Sequence, residues 1–157
     1  MTSARKPKPE GRIITEPVKL LLPVKPRSKK NSQRWIKTRG DNPVWKLTPS
    51  EAYVQYEKDC GPFIRCKGMN ISCLVNIKAT FYIDADRPCD ISNFFEALAD
   101  MLVHYQVILD DNRRIVQSWD GSRVYVDRQN PRTEVIIEPV SEDIQTSLDI
   151  EKLSGGF

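Results

Sequence analysis

Residues 93–105, NFFEALADMLVHY, carry the clearest helical signal in the chain, and an amphipathic helix of this kind needs an apolar layer to lie on. Phe94, Leu98, Met101, Leu102 and Tyr105 recur at helical spacing and are expected to face the core, with Asn93, Glu96, Asp100 and His104 together on the other side. The flanking sequence supplies the layer. Ile71 to Ile83 is rich in Val, Ile, Phe and Tyr and predicts a strand running into the loop Asp84 to Pro88. After the helix, Ile115 to Trp119 and Val124 to Val126 read as strand broken at Asp120-Gly121. Thr133 to Val140 is expected to pair back across the Arg128 to Arg132 turn. On the N-terminal side, Ile13 to Val24 reads as a strand closed by Pro23 and Pro26. Thr48-Pro49-Ser50-Glu51 opens a short helix, Ala52 to Cys60, which Gly61-Pro62 ends. This order predicts a small α/β (α+β) domain over residues 13–140, a small mixed β-sheet with two main helices packed on it. Residues 1–12 read as a disordered basic tail and 141–157 as a polar, acidic one.

At 157 residues, one compact domain is the expectation. No apolar run approaches the roughly 18 to 20 residues that span a bilayer, and Met1 to Gly11 is basic and Pro-rich with no apolar signal core. A soluble, cytoplasmic protein without a membrane partner is expected. Cys60, Cys66, Cys73 and Cys89 lack the short paired spacing of zinc ligands and read as reduced structural thiols. The single histidine, His104, leaves little room for a catalytic triad, a histidine nuclease motif or a multi-histidine metal site. Hydrolytic chemistry here has to run mainly on carboxylates and a metal.

The net charge of +3 hides a strong asymmetry: residues 1–50 hold 13 Lys/Arg and 3 Asp/Glu, net +10, which leaves −7 for the rest. The basic part is densest in KPRSKKNSQRWIKTR, where Lys25, Arg27, Lys29, Lys30, Arg34, Lys37 and Arg39 surround Trp35. Such a loop suits phosphates, with the indole placed to stack on a base, and it suits a solvated arm equally well.

Carboxylates gather at Asp84, Asp86 and Asp90, where the central strand ends, and at Asp110-Asp111 beyond the helix. If the strand after Asp111 lies beside the one ending at Asp84, both groups reach one sheet edge, and converging carboxylates of this kind bind Mg²⁺. Each residue has a structural reading as well. Asn93 with Glu96 fits a capping box, Asp90 favours the positive end of the helix dipole, and Asp110-Asp111-Asn112 is common turn chemistry.

The run from Asp90 to Asp120, DISNFFEALADMLVHYQVILDDNRRIVQSWD, resembles the RusA family of Holliday junction resolvases, which are small, dimeric, Mg²⁺-dependent endonucleases. The family motif is Asp-x-Asp-Asn at a helix start, an Asp-Asp pair after the helix, then a hydrophobic strand. Asp90 and Asn93 match the first part and Asp110-Asp111 the second. The likeness extends more weakly to LLLPVKPRSKKNSQRW and to Ser50-Glu51-Ala52-Tyr53, and covers roughly residues 19–140. Ser92 replaces the second aspartate and Glu96 the expected lysine. Glu96, one turn from Asn93, is placed to restore the missing charge, with Asp100 a turn further along. The resemblance implies a RusA-like fold and a homodimer that resolves four-way junctions by paired nicks in DNA recombination, repair or phage DNA processing. It implies Asp90 and Asp111, assisted by Asp110, Glu96 and Asn93, as the catalytic set, with Asp90, Asp111 and Glu96 holding Mg²⁺. Arg123 and Arg128 join the basic residues as DNA contacts. A non-catalytic branched-DNA-binding accessory protein is the alternative that Ser92 and Glu96 favour. In the tail, Gln145 to Ile150 looks like the Gln-x-x-Leu peptides that dock in sliding clamps.

Overall fold

The computed structural model of the chain describes residue 7, residues 9–29 and residues 34–141. Lys30, the clamp-like segment Gln145 to Ile150, and most of both expected tails lie outside the described residues. The fold is mixed, with a five-stranded sheet, a separate two-stranded sheet and two helices.

Strand β4 (Val75–Ile83) is the spine of the main sheet, and its nine residues alternate between buried positions and half-exposed or exposed ones with period two. On one side it pairs antiparallel with β7 (Arg132–Pro139), which in turn pairs antiparallel with β1 (Val18–Leu22) at the sheet edge. On its other side two short strands follow one another: β5 (Val116–Ser118) beside Val75 and Asn76, then β6 (Arg123–Val126) beside Thr80 to Ile83, both parallel to β4. The break between them falls at Gly121, whose positive φ of 81° an L side chain rarely adopts. Asn76 stitches it: its amide donates to the Asp120 carbonyl (3.2 Å), and its oxygen accepts from the Asp120 N–H (2.8 Å) and the Ser118 hydroxyl (2.7 Å).

The expected pairing of residues 133–140 back across the Arg128–Arg132 turn does not form. β4 lies between β6 and β7, because Val135 and Ile137 gain more by pairing with a strand buried on the helix side than with the exposed β6.

Helix α1 (Glu51–Cys60) starts where the sequence predicts. Ser50 caps it, its hydroxyl accepting from the Tyr53 N–H at 3.1 Å, which contributes about 1 kcal/mol. Helix α2 (Ile91–His104) buries Phe94, Ala97, Leu98, Met101 and Leu102 against Ile77, Ala79, Phe81 and Ile137 of the sheet. Its opposite side is not simply solvated, as the periodicity suggests. The Tyr53 hydroxyl donates to the Ala97 carbonyl (3.2 Å), the Tyr105 hydroxyl to the Glu57 carbonyl (2.7 Å), and His104 Nε2 stands 3.5 Å from Glu57. Thus α1 covers part of the polar stripe.

The segment expected to be one continuous basic loop contains a strand. β2 (Arg34–Lys37) and β3 (Trp45–Thr48) form an antiparallel hairpin with register Trp35 to Leu47 and Lys37 to Trp45. Among the described residues no helix is long and apolar enough to cross a membrane.

Candidate functional site

Strand β4 delivers the chain to residues 84–89, and α2 begins immediately after Asp90, its N-cap. The Asp90 carbonyl accepts from the Asn93 N–H at 3.1 Å, while its carboxylate makes no capping hydrogen bond. Asn93 is therefore the third residue of the helix and not its cap, so the capping-box reading of Asn93 with Glu96 does not hold. Asn93 is buried, against the expectation that it faces outward, because the chain around Pro26 closes over the first helical turn. Between them lies a cleft of about 290 Å³ lined by Arg27, Ser28, Arg87, Asp90 and Asn93. Ser92 and Glu96 are exposed.

The second acidic group is elsewhere. Ile108 bridges to Ile71, ahead of the start of β4, and Val116 is level with Val75, so Asp110 and Asp111 stand at the end where β4 begins. Asp84 and Asp90 stand where it ends, roughly 30 Å of strand away. The strand after Asp111 does lie beside β4, yet the two acidic groups do not reach one sheet edge. A parallel β-α-β crossover puts the start of the helix and its exit at opposite ends, and the 14 residues of α2 span about 21 Å.

The two aspartates of the pair differ in what they do. The Asp110 carboxylate accepts from the Asp111 N–H (2.8 Å) and from the Asn112 amide (2.8 Å), bonds that hold it below the usual carboxylate range. This is the turn chemistry the sequence suggests. Asp111 is shifted upward, first by partial burial, then by its contact with Asp110, and further by the charges of Asp110 and Asp100. Asp100, on α2, makes the smallest of these contributions. Among the described residues no three His, Cys, Asp or Glu side chains converge as a metal-binding group.

The sign of the Asp111 shift has a consequence for stability. A carboxylate whose folded pKa is raised is destabilising when ionised, and this cost disappears as pH falls through the raised value. Asp111→Asn is therefore expected to melt at a higher temperature than the native chain at pH 7 in chelator. The difference should close on acidification, which thermal denaturation across the acidic range will read.

The basic residues are spread over several elements, and one of them, Lys29, pairs with a carboxylate of α2. Lys25 Nζ is 2.5 Å from Asp84, whose carboxyl it holds below the usual range, and Lys29 pairs with Asp100. Arg27 is exposed at the rim of the Asp90 cleft. Arg34 pairs with Glu51 at 2.9 Å and ties the hairpin to the start of α1, while Trp35 and Lys37 are exposed on β2 and Arg39 is exposed just beyond it. Arg123 is exposed on β6, and Arg128 is exposed in the turn that follows, where the Asp127 N–H donates to the Ile83 carbonyl at 2.8 Å. Both belong to the Asp84 end of the sheet and not to the Asp111 end.

Sequence reasoning missed Trp45 and Lys46, which the hairpin sets beside Trp35 and Ile36. The signal was available in two tryptophans within short alternating segments on either side of Gly40-Asp41-Asn42-Pro43. It also missed Arg132, which pairs with Asp127 (2.9 Å) and Glu134 (3.0 Å) and lies 3.7 Å from the centre of the Tyr82 ring. All four cysteines are free, and burial pushes the Cys60 thiol up to about 12, far from a nucleophile's range.

No protein-family model matches the chain, and no curated protein matches it.

Proposed function

We propose that the chain is a Mg²⁺-dependent endonuclease that cuts four-way DNA junctions as a homodimer. The observation that carries this reading is the seating of the basic segment against two carboxylates, Lys25 on Asp84 ahead of α2 and Lys29 on Asp100 within it. A surface that grips phosphates then adjoins the carboxylates that would hold a divalent ion. The resemblance of residues 90–120 to the RusA family supports the same assignment.

The donors present fit Mg²⁺. Asp100, beside the Lys29 ammonium, and Asp111 offer hard oxygens, and Mg²⁺ commonly takes one or two carboxylates plus substrate phosphate and water. Bound there, the ion supplies Lewis-acid polarisation of the phosphate and a water of lowered pKa. Asp111 is the direct ligand of the pair, since the Asp110 carboxylate is committed to its turn. Asp90 belongs to the same site only if it comes from a second copy, because within one chain it stands at the other end of α2. A two-fold dimer supplies that arrangement twice and presents two sites to the two-fold axis of a junction. Glu96, between Asp90 and Asp100 on α2, adds charge in place of Ser92. Lys25, Arg27 and Lys29 take the backbone phosphates, and Arg123 and Arg128 extend the same basic surface on the Asp90 side.

A second reading, junction binding without cleavage, is favoured by one observation: no three-carboxylate group forms among the described residues. The deciding experiment is nicking of a synthetic four-way junction and a matched linear duplex, with Mg²⁺ and with chelator. Metal-dependent, junction-selective cutting is the expected result. Tight junction binding with no cutting at any protein concentration establishes the second reading instead.

A further inference from the structure

The β2–β3 hairpin presents an aromatic face whose occupant none of the chemistry above requires. Trp35 and Trp45 are 65% and 61% exposed, far from the burial expected of the largest apolar side chain, and Leu47 between them is 46% exposed. The register places all three on one face, with Lys37 opposite Trp45, because directly paired residues share a face and side chains repeat every second position. The other face carries Arg34 with Thr48 and Ile36 with Lys46. Residues 34–48 hold four Lys/Arg against Asp41 alone, and Lys37, Arg39 and Lys46 have no ion pair among the described residues.

We propose that this hairpin is a stacking platform for unpaired bases of a single DNA strand, with Trp35 and Trp45 each taking one base and Lys37, on the same face, an adjoining phosphate. It deepens the DNA-binding part of the reading above and is independent of cleavage. Two observations select this occupant. The charge is positive and uncompensated, as a polyanion requires. Trp35 and Trp45 are diagonal neighbours in the ladder, roughly 7 to 8 Å apart at the backbone. That exceeds the roughly 3.4 Å rise per base of duplex DNA, so bases seated on both rings are unstacked from each other. A paired, stacked duplex does not offer its base faces, whereas strands opened at a branch point do.

A second copy of the chain is the competing occupant, and size and charge disfavour it. Strands of four residues are about 13 Å long, so the face is far smaller than the roughly 800 Å² per partner of a stable interface. Joining two such faces also brings like charges together.

Binding of the full chain to an oligothymidylate, and to a matched duplex, is to be measured in chelator so that no cutting intervenes. W35A and W45A are each expected to weaken oligothymidylate binding about tenfold, and to change duplex binding little. W35F/W45F keeps most of the affinity, because the ring face is what the base uses. Melting temperatures should be unchanged, since the hairpin pairs with no strand of the main sheet. The proposal is overturned if W35A/W45A binds oligothymidylate like the native chain. It is also overturned if the double variant loses self-association in sedimentation while binding is kept, which makes the face an interface between copies. Failure of the native chain to bind either DNA overturns this proposal together with the reading it rests on, whereas loss of junction cutting alone leaves it standing.

Discussion

Asp111→Asn slows Mg²⁺-dependent nicking of a four-way junction by at least about a hundredfold, the expected result of removing a carboxylate from an ion that supplies several kcal/mol of transition-state stabilisation. Affinity for the junction in chelator should be unchanged or slightly improved, because the substitution removes a negative charge from a phosphate-binding surface. Asp110→Asn should show the reverse emphasis. Its carboxylate accepts two hydrogen bonds within the turn, so its loss acts on the fold of residues 110–114 before it acts on an ion. The opposed positions of Asp90 and Asp111 add a sharper expectation. Asp90→Asn and Asp111→Asn, each inactive alone, should recover about a quarter of native nicking when mixed in equal amounts, because half the dimers are mixed and each carries one intact composite site. A site built within one chain gives no recovery. Nicking by Asp111→Asn at the native rate removes Asp111 from the chemistry altogether.

Phe81→Ala is expected to cost about 3 to 5 kcal/mol of folding stability, read as a fall in the urea midpoint with little change in slope. Phe81 lies two residues from the end of β4, is 1% exposed, and stacks on Phe94 with ring centres 5.1 Å apart. Phe95 tilts against it at 6.1 Å and itself stacks on Trp119 at 4.5 Å, so one ring locks the spine of the sheet to the helix that carries Asp90 and Asp100. No neighbour is free to collapse into the space left behind, because its partners are themselves fixed to α2 and to the segment after β5. Tyr82→Ala is the internal comparison. Tyr82 is the next residue but points to the other face, where it meets Tyr125 and Arg132 and remains half-exposed. Its loss should cost much less, and equal costs at the two positions contradict the assignment of the core to the helix-covered face.

Local chemistry made most elements legible in the sequence. The period of Phe94, Leu98, Met101 and Leu102 predicts α2, Ser50 and Gly61-Pro62 bracket α1, and the Asp120-Gly121 break is where one strand gives way to the next. Each of these depends on residues within a few positions of one another. What the hairpin segment became was less legible, because a basic, Pro-flanked stretch satisfies loop and strand alike until Trp35 finds Leu47 across the turn.

The sequence by itself determined which carboxylates and cations the protein has and on which element each is carried, since spacing along a helix or strand is set by backbone geometry. Only the tertiary structure decided which of them meet. Strand order and direction depend on burial summed over the whole sheet. That sum placed β4 between β6 and β7 and made β5 parallel to β4, so Asp90 and Asp111 went to opposite ends of α2. It also laid Lys25 and Lys29 against Asp84 and Asp100. No pattern within a single segment carries that information, because the free energy that selects the arrangement belongs to contacts between segments far apart in the chain.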